Sequence, residues 1–289
     1  MKKILAILLT AALSVTMFVG CSTNSGNDAS SGADGSSGTS ANGEVSGKIL
    51  LNGSTSMEKV VGALNEVWNQ NNPNAQAEGQ YTGSGDGIKA VADGTADIGN
   101  SSRALKDDEK SQGLTENIIA LDGIAIVTDK ENTVSNLTKD QLIQIYTGEI
   151  TNWSELGGAD QQIVVIGRES NSGTRGAFEE LLELKDKCKY AQEINSTGGI
   201  LSTVQSTPGA IGYSSLADLT DDVKALSLDG VEASVENIKN GTYSMQRPFV
   251  MATKGTIEEQ DAQVKAYLEF VFSEEGQQIV EKCGLITVD

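Results

Sequence analysis

Three times in this sequence a strand ends in a small cluster of Ser, Thr and Gly that runs directly into an amphipathic helix. The clusters are Asn52-Gly53-Ser54-Thr55-Ser56-Met57-Glu58, Gly83-Ser84-Gly85-Asp86-Gly87-Ile88-Lys89 and Gly167-Arg168-Glu169-Ser170-Asn171-Ser172-Gly173-Thr174-Arg175. A helix N-terminus presents unpaired N–H groups and a partial positive charge. Small hydroxyl residues there add donors without blocking approach. One such terminus is an ordinary capped helix. Three of them, one led by Arg, point to a site for a small anion built from several helix ends.

The same unit constrains the fold. Residues 48–52 read as a buried strand, and Met57, Val60, Val61, Leu64, Val67 and Trp68 then recur at helical spacing until Asn71-Asn72-Pro73. Thr55 and Glu58 have the spacing of a capping box. Residues 75–81 return as a strand, Ile88, Val91 and Ala92 mark a second helix ended by Gly94, and residues 96–99 form a third strand. This β-α-β-α-β order predicts an α/β fold with a mostly parallel sheet, whose ligands sit beyond the carboxyl ends of the strands. Residues 118–127 form a long apolar strand, and the polar stretch 128–136 is a candidate crossing between lobes. A helix over 138–146, a buried strand over 163–166 that delivers the chain to Arg168, a helix after Gly173, a helix over 198–205 and a strand over 210–213 follow. Phe249-Val250-Met251 is a second apolar strand and the candidate return crossing; helices carrying Val264 to Phe272 and Ile279-Val280 close the chain. Trp68 and Trp153 are read as core residues.

Several chemistries are excluded or disfavoured by composition. There is no His, so the commonest general base and metal ligand are missing. No nucleophile–base constellation and no EF-hand spacing occurs, so neither an enzyme nor a metal site is expected, and no cofactor is called for. The formal charge is −19, or −21 without Lys2 and Lys3, with no polybasic run, which argues against nucleic acid as a partner. The negative charge opposes anion binding at long range, so an anion site must rely on short-range donors, with salt screening the distant carboxylates. Arg168 offers a planar fork that fits tetrahedral oxyanions. The bland alternative is an N-cap beside a surface Arg paired with Glu169.

At the N-terminus, Lys2 and Lys3 precede an apolar run over residues 4–19, the pattern of a signal peptide over residues 1–20. Phe18-Val19-Gly20-Cys21 resembles a bacterial lipobox, with Cys21 as the lipidated residue; plain signal-peptidase cleavage nearby is the alternative. Residues 21–46 have the Ser/Gly-rich composition of a flexible tether. Cys188 and Cys283 are expected to be unpaired thiols, although a disulfide is chemically open outside the cytoplasm.

Taken in order, 52–56, 83–87, Ala-Asp-Ile-Gly-Asn-Ser-Ser-Arg (96–103), Gly-Glu-Ile-Thr-Asn-Trp (148–153), 168–175 and Thr-Pro-Gly-Ala-Ile-Gly-Tyr (207–213) resemble the phosphate-binding lipoproteins of bacterial phosphate ABC importers. The resemblance spans roughly residues 47–289. It implies a bilobal periplasmic-binding-protein-like (type II) fold, with two α/β lobes joined by a two-strand hinge, and inorganic phosphate clamped between them. It further implies a monomer, lipid-anchored on the extracytoplasmic face of the membrane, that hands phosphate to permease subunits. Lobe I is expected over 47–127 plus 247–289 and lobe II over 128–246. By position, the resemblance places Ser54, Thr55, Ser56, Ser84, Ser102, Arg168, Ser172, Gly173 and Thr174 against phosphate. Well-known members carry an Asp where Ser102 stands here, and that Asp accepts the phosphate proton and rejects sulfate. Asp86 is the candidate substitute acceptor; its alternative role is simply to cap its helix. The competing functions are binding of another oxyanion, such as sulfate or molybdate, a phosphatase-like enzyme, or an adhesion protein on the same fold.

Overall fold

The computed structural model describes residues 45–288. The expected signal peptide, Cys21 and nearly all of the expected tether lie outside the described residues.

Strand β1 (Gly47–Gly53) leads through a 3-10 turn (Thr55–Met57) into helix α1 (Glu58–Asn71). Strand β2 (Ala75–Gln80), α2 (Ser84–Ala92), β3 (Ile98–Ser101) and the short α3 (Asp107–Lys110) follow. The long strand β4 (Leu114–Thr128) leads to β5 (Asn136–Leu137), α4 (Lys139–Thr147), β6 (Val164–Arg168), α5 (Gly173–Leu181) and β7 (Gln192–Ile194). Then come α6 (Thr197–Ser206), β8 (Ala210–Ser215), β9 (Lys224–Leu228), α7 (Val235–Lys239), β10 (Gln246–Lys254), α8 (Ala262–Phe272), α9 (Glu274–Lys282) and β11 (Ile286–Thr287).

The strand order is β2-β1-β3-β10-β4-β8-β6-β7, with β11 on β4 and β9 between β4 and β5. Strands β2, β1 and β3 are parallel, as the β-α-β-α-β pattern predicts, and β6 lies parallel to β8 and β7 in the second lobe. Among the described residues, β4 is the strand that pairs with both halves. From Leu114 to Gly123 it pairs with β10; from Ile124 to Thr128 it pairs with β8. The partner change therefore falls at Gly123 on the way out and at Gln246 on the return. The expected crossing, residues 128–136, begins instead inside the second lobe, where Thr128 opposes Ile211 and Lys224. One continuous strand concealed the change, because apolar residues lie on both sides of the point where the partner changes, from Ile118 to Val127.

Each lobe has its own core. In the first, Ile49 and Leu51 of β1 meet Val60, Val61, Leu64 and Trp68 of α1 and Val264, Tyr267 and Leu268 of α8. Trp68 packs edge-on against Tyr267 with ring centroids 5.4 Å apart. In the second, Phe178 of α5 stacks on Tyr213 of β8 at 4.1 Å, and Trp153 is buried in the same core with its indole N–H on the Gly209 carbonyl. Both Trp residues are thus core, as read from the sequence. Cys188 and Cys283 are free thiols.

This arrangement aims helix starts at the seam. The carboxyl ends of β1 and β2 lead into the Thr55 turn and α2, and those of β6 and β7 into α5 and α6. Gly53 makes the first turn possible. Its φ of +144° is a conformation that L side chains rarely adopt, and a Cβ there would lie 2.0 Å from the Asn100 carbonyl oxygen.

Candidate functional site

The hydroxyl loops of both lobes converge on one buried cluster. Ser54, Thr55, Ser56, Ser84 and Ser102 come from the first lobe; Arg168, Ser172 and Thr174 come from the second, and all are buried. The capping box expected at Thr55 and Glu58 does not form. Ser54 caps the turn instead, accepting from the Ser56 N–H, because the Thr55 hydroxyl is committed across the cleft. Arg168 Nη2 donates to Thr55 Oγ1 at 2.9 Å, and Arg168 Nη1 donates to Thr197 Oγ1 at 3.2 Å. Ser56 Oγ lies 2.8 Å from Thr174 Oγ1 and 3.0 Å from Thr197 Oγ1. Ser54 Oγ donates to Ser102 Oγ at 2.9 Å, and the Ser102 N–H donates to Ser84 Oγ at 3.1 Å. Gly173 sits against this pair: a Cβ there would be 2.2 Å from Ser84 Oγ and 2.7 Å from Ser102 Oγ.

Arg168 is the charge of the cluster. It is 2% exposed, and its Nε and Nη2 also donate to the Ile194 and Asn195 carbonyls. Among the described residues no carboxylate pairs with it; Glu169 is exposed and makes no ion pair with it. Burial pulls its pKa down to about 10, and the nearby Arg247 guanidinium pulls the same way. A buried cation without a counter-ion is costly, and an anion among these donors would offset that cost. Its backbone is held from behind: the Arg168 N–H donates to the Tyr213 hydroxyl, and Arg175 Nη1 donates to the Arg168 carbonyl.

Two expected roles are revised. Asp86 is not in the cluster. It is the third residue of α2, turned to the exposed side of the helix about 200° from Ser84, and its carboxylate accepts from Asn171 Nδ2 at 2.8 Å. It makes no cap bond to α2; the residue before that helix is Gly83, which has no capping side chain. Ser172 is buried at the cluster's edge, where its hydroxyl caps α5 by accepting from the Arg175 N–H. The adjacent Arg103, beside Ser102, turns away to pair with Glu109 at 2.7 Å.

Sequence reasoning missed Thr197, Arg247, Asp122 and Ser215. Arg247 of β10 donates from Nη1 to Thr174 Oγ1 at 2.6 Å and to the Ser102 carbonyl at 3.2 Å. Its Nε and Nη2 clasp Asp122 Oδ2 of β4 at 3.0 and 2.9 Å, and Ser215 Oγ donates to Asp122 Oδ1. Burial raises the Asp122 carboxyl, and Arg247 opposes that rise. Thr197 had a signal, since Ser196-Thr197-Gly198-Gly199 is a fourth small cluster ahead of a helix. Arg247 and Asp122 had none.

The polarity of the cluster follows from its cations. Thr55, Thr197 and Thr174 each accept from a guanidinium, so each keeps its own proton to donate, to a neighbouring hydroxyl in this arrangement or to an anion placed among them. The arrangement is a set of donors from two lobes around one charge, suited to holding a small tetrahedral anion.

Residues 38–275 match the PBP superfamily domain. The chain is 34% identical to the phosphate-binding protein PstS of Bacillus subtilis (strain 168), over all of this chain and 95% of that one. A structure from Clostridium perfringens, assigned as a phosphate ABC transporter substrate-binding protein and solved with bound phosphate, is 42% identical. It covers 84% of this chain and all of its own, with a TM-score of 0.78. An ABC-type phosphate transport receptor from Vibrio cholerae is 34% identical over 84% of this chain and all of its own, with a TM-score of 0.71.

Proposed function

Because the chain belongs to the PBP superfamily and, within it, to the phosphate-binding proteins named PstS, we propose that it captures inorganic phosphate between its two lobes and delivers it to the permease of an ABC-type importer. It is a binding protein, not an enzyme. Phosphate takes the place that the cluster's hydroxyls share, with Arg168 as the charge partner and Ser54, Thr55, Ser56, Ser84, Ser102, Gly173 and Thr174 as neutral donors. Ser172 acts by fixing the start of α5. Ligand favours closure because only the closed arrangement brings donors from both lobes to one anion. The lobes are residues 47–123 with 246–288, and residues 124–245.

The observation that carries this reading is Arg168, buried among hydroxyls of both lobes and, among the described residues, paired with no carboxylate. Removing a charged hydrogen-bond donor from such a site costs about 1.5–3 kcal/mol or more. Arg168→Ala should therefore weaken phosphate binding by at least tenfold in titration calorimetry. A phosphate affinity that stays within about threefold of wild type in the variant would overturn the assignment.

A second oxyanion remains a reading of its own, because the position that carries Asp in well-known members is Ser102 here, and its hydroxyl accepts from Ser54. A hydroxyl offers either a proton or a lone pair, so it does not penalise sulfate as a carboxylate would. Melting shifts across phosphate, sulfate and molybdate decide between them, since only a true ligand stabilises in proportion to its concentration over its dissociation constant.

The chain works at the extracytoplasmic face of the membrane as a single copy, tethered through Cys21 after removal of residues 1–20. The charged start, apolar run, lipobox-like ending and Ser/Gly-rich segment support this placement. Mass spectrometry of the membrane-extracted protein should find a diacylglyceryl group on Cys21; an unmodified mature N-terminus elsewhere would refute the anchor.

A further inference from the structure

The second hydroxyl loop meets the Arg168 loop at one more place, at the rim of the cleft and outside the buried cluster. Asn171 Nδ2 donates to Asp86 Oδ2 at 2.8 Å and to the Thr82 carbonyl at 3.0 Å. The Asn171 carbonyl accepts from the Gly85 N–H at 2.9 Å. The partners belong to the loop between β2 and α2 and to the first turn of α2 in the first lobe, whereas Asn171 belongs to the loop between β6 and α5 in the second. The two glycines of this loop lie where Asn171 approaches. A Cβ on Gly83 would fall 2.9 Å from Asn171 Nδ2, and one on Gly85 would fall 3.4 Å from the Asn171 carbonyl oxygen. Asp86 and Thr82 are exposed and Asn171 is half-buried, so these groups lie where water would otherwise satisfy them.

We propose that Asp86 and Asn171 form a latch that sets how much of the protein is closed, and so determine the affinity for the anion without touching it. The proposal rests on the two-lobe capture reading above. The latch exists only while the lobes are shut, so its free energy enters the closing equilibrium alone. Apparent affinity scales with the fraction of protein that is closed. A hydrogen bond to an exposed carboxylate lies at the weak end of the charged range, which corresponds to about a tenfold change in that fraction.

The test is a charge swap. Asn171→Asp puts two carboxylates face to face and should raise the phosphate dissociation constant by at least about tenfold, with the loss reduced by added salt. Asp86→Asn combined with Asn171→Asp restores a donor opposite a carboxylate, and should bring affinity back to within about threefold of wild type. Losses that simply add in the double variant, or an Asn171→Asp variant that binds as wild type does, would overturn the latch. So would an Asp86→Ala variant that loses phosphate while keeping its affinity for another oxyanion, because that would return Asp86 to the ligand. A wild type that binds no phosphate sinks the functional reading instead. The latch then stands on small-angle scattering, in which Asn171→Asp should be more open than wild type and the double variant should not.

Discussion

Gly173 is the point at which one methyl group separates an open from a closed molecule. It is the first residue of α5, where alanine suits the helix better than glycine by about 0.5–1 kcal/mol. A Cβ there would nevertheless lie 2.2 Å from Ser84 Oγ, which belongs to the other lobe. Gly173→Ala is therefore expected to melt without ligand at the wild-type temperature or slightly above it, yet to lose the upward shift that phosphate gives the wild type. Thermal melts with and without phosphate check this; a full shift in the variant would mean that the lobes close without that contact. Gly173 was legible because the sequence pattern of small residues before a helix describes the backbone's own donors. Arg247 was not. It stands in Gln246-Arg247-Pro248-Phe249, a stretch with no hydroxyls, and what brings it to Thr174 is the pairing of β10 with β4 across more than a hundred residues. Asp86 failed for a different reason: it lies in the right loop, but two steps along a helix from Ser84 turn a side chain to the opposite side.

The strand–hydroxyl–helix units were readable because each carries its own periodicity and its own punctuation, and each folds against its immediate neighbours. The hinge strands carry no such signal. β4 changes partners within one apolar run, and only the contacts of β10 and β8 reveal where. Strands β4 and β10 also hold the one ion pair among the described residues that is almost completely buried, Asp122 with Arg247 at 2.9 Å. Removing one member of a buried pair leaves the other uncompensated, which costs about 3–5 kcal/mol, whereas replacing both with apolar residues of similar size is often neutral. Arg247→Met should thus destabilise the protein by about that amount in urea unfolding. Asp122→Leu with Arg247→Met should recover most of the loss. Phosphate affinity should stay reduced in the double variant, because the charged donor to Thr174 Oγ1 is then missing from the cluster. Recovery of stability and affinity together would make the pair a purely structural element.

At the scale of the whole molecule, a chain of formal charge −19 holds a site for an anion, so its acidic groups near the cleft must be neutralised, paired or kept distant. The two-lobed plan itself was legible only through the ordered set of motifs spread along the chain, since no single stretch encodes how one lobe faces another. Asp218 shows how the surplus of acid is managed. It ends the 3-10 turn Leu216–Asp218 that follows β8, and its Oδ2 is buried with no hydrogen-bond partner. Burial pushes its pKa from 3.8 up to about 7; Asp122 adds to the rise, while Arg247 and Lys59 oppose it. The sign of the linkage follows. Below pH 3.8 the group is protonated in both folded and unfolded chains and has no effect on stability. Between 3.8 and about 7 the folded chain holds a proton that the unfolded chain has released, so stability falls as pH rises through this window. Above about pH 7 the whole penalty of an ionised, unpaired carboxylate is present. Asp218→Asn removes that penalty with little change of shape. The melting temperature of the variant minus that of the wild type should be smallest near pH 4, grow between pH 5 and 7, and level off by pH 8. Other titrating groups shift both proteins alike and cancel in the difference. A difference that stays constant from pH 4 to 8 would mean that Asp218 keeps an ordinary carboxylate pKa, and that the acid beside the hinge is held in check by its cations alone.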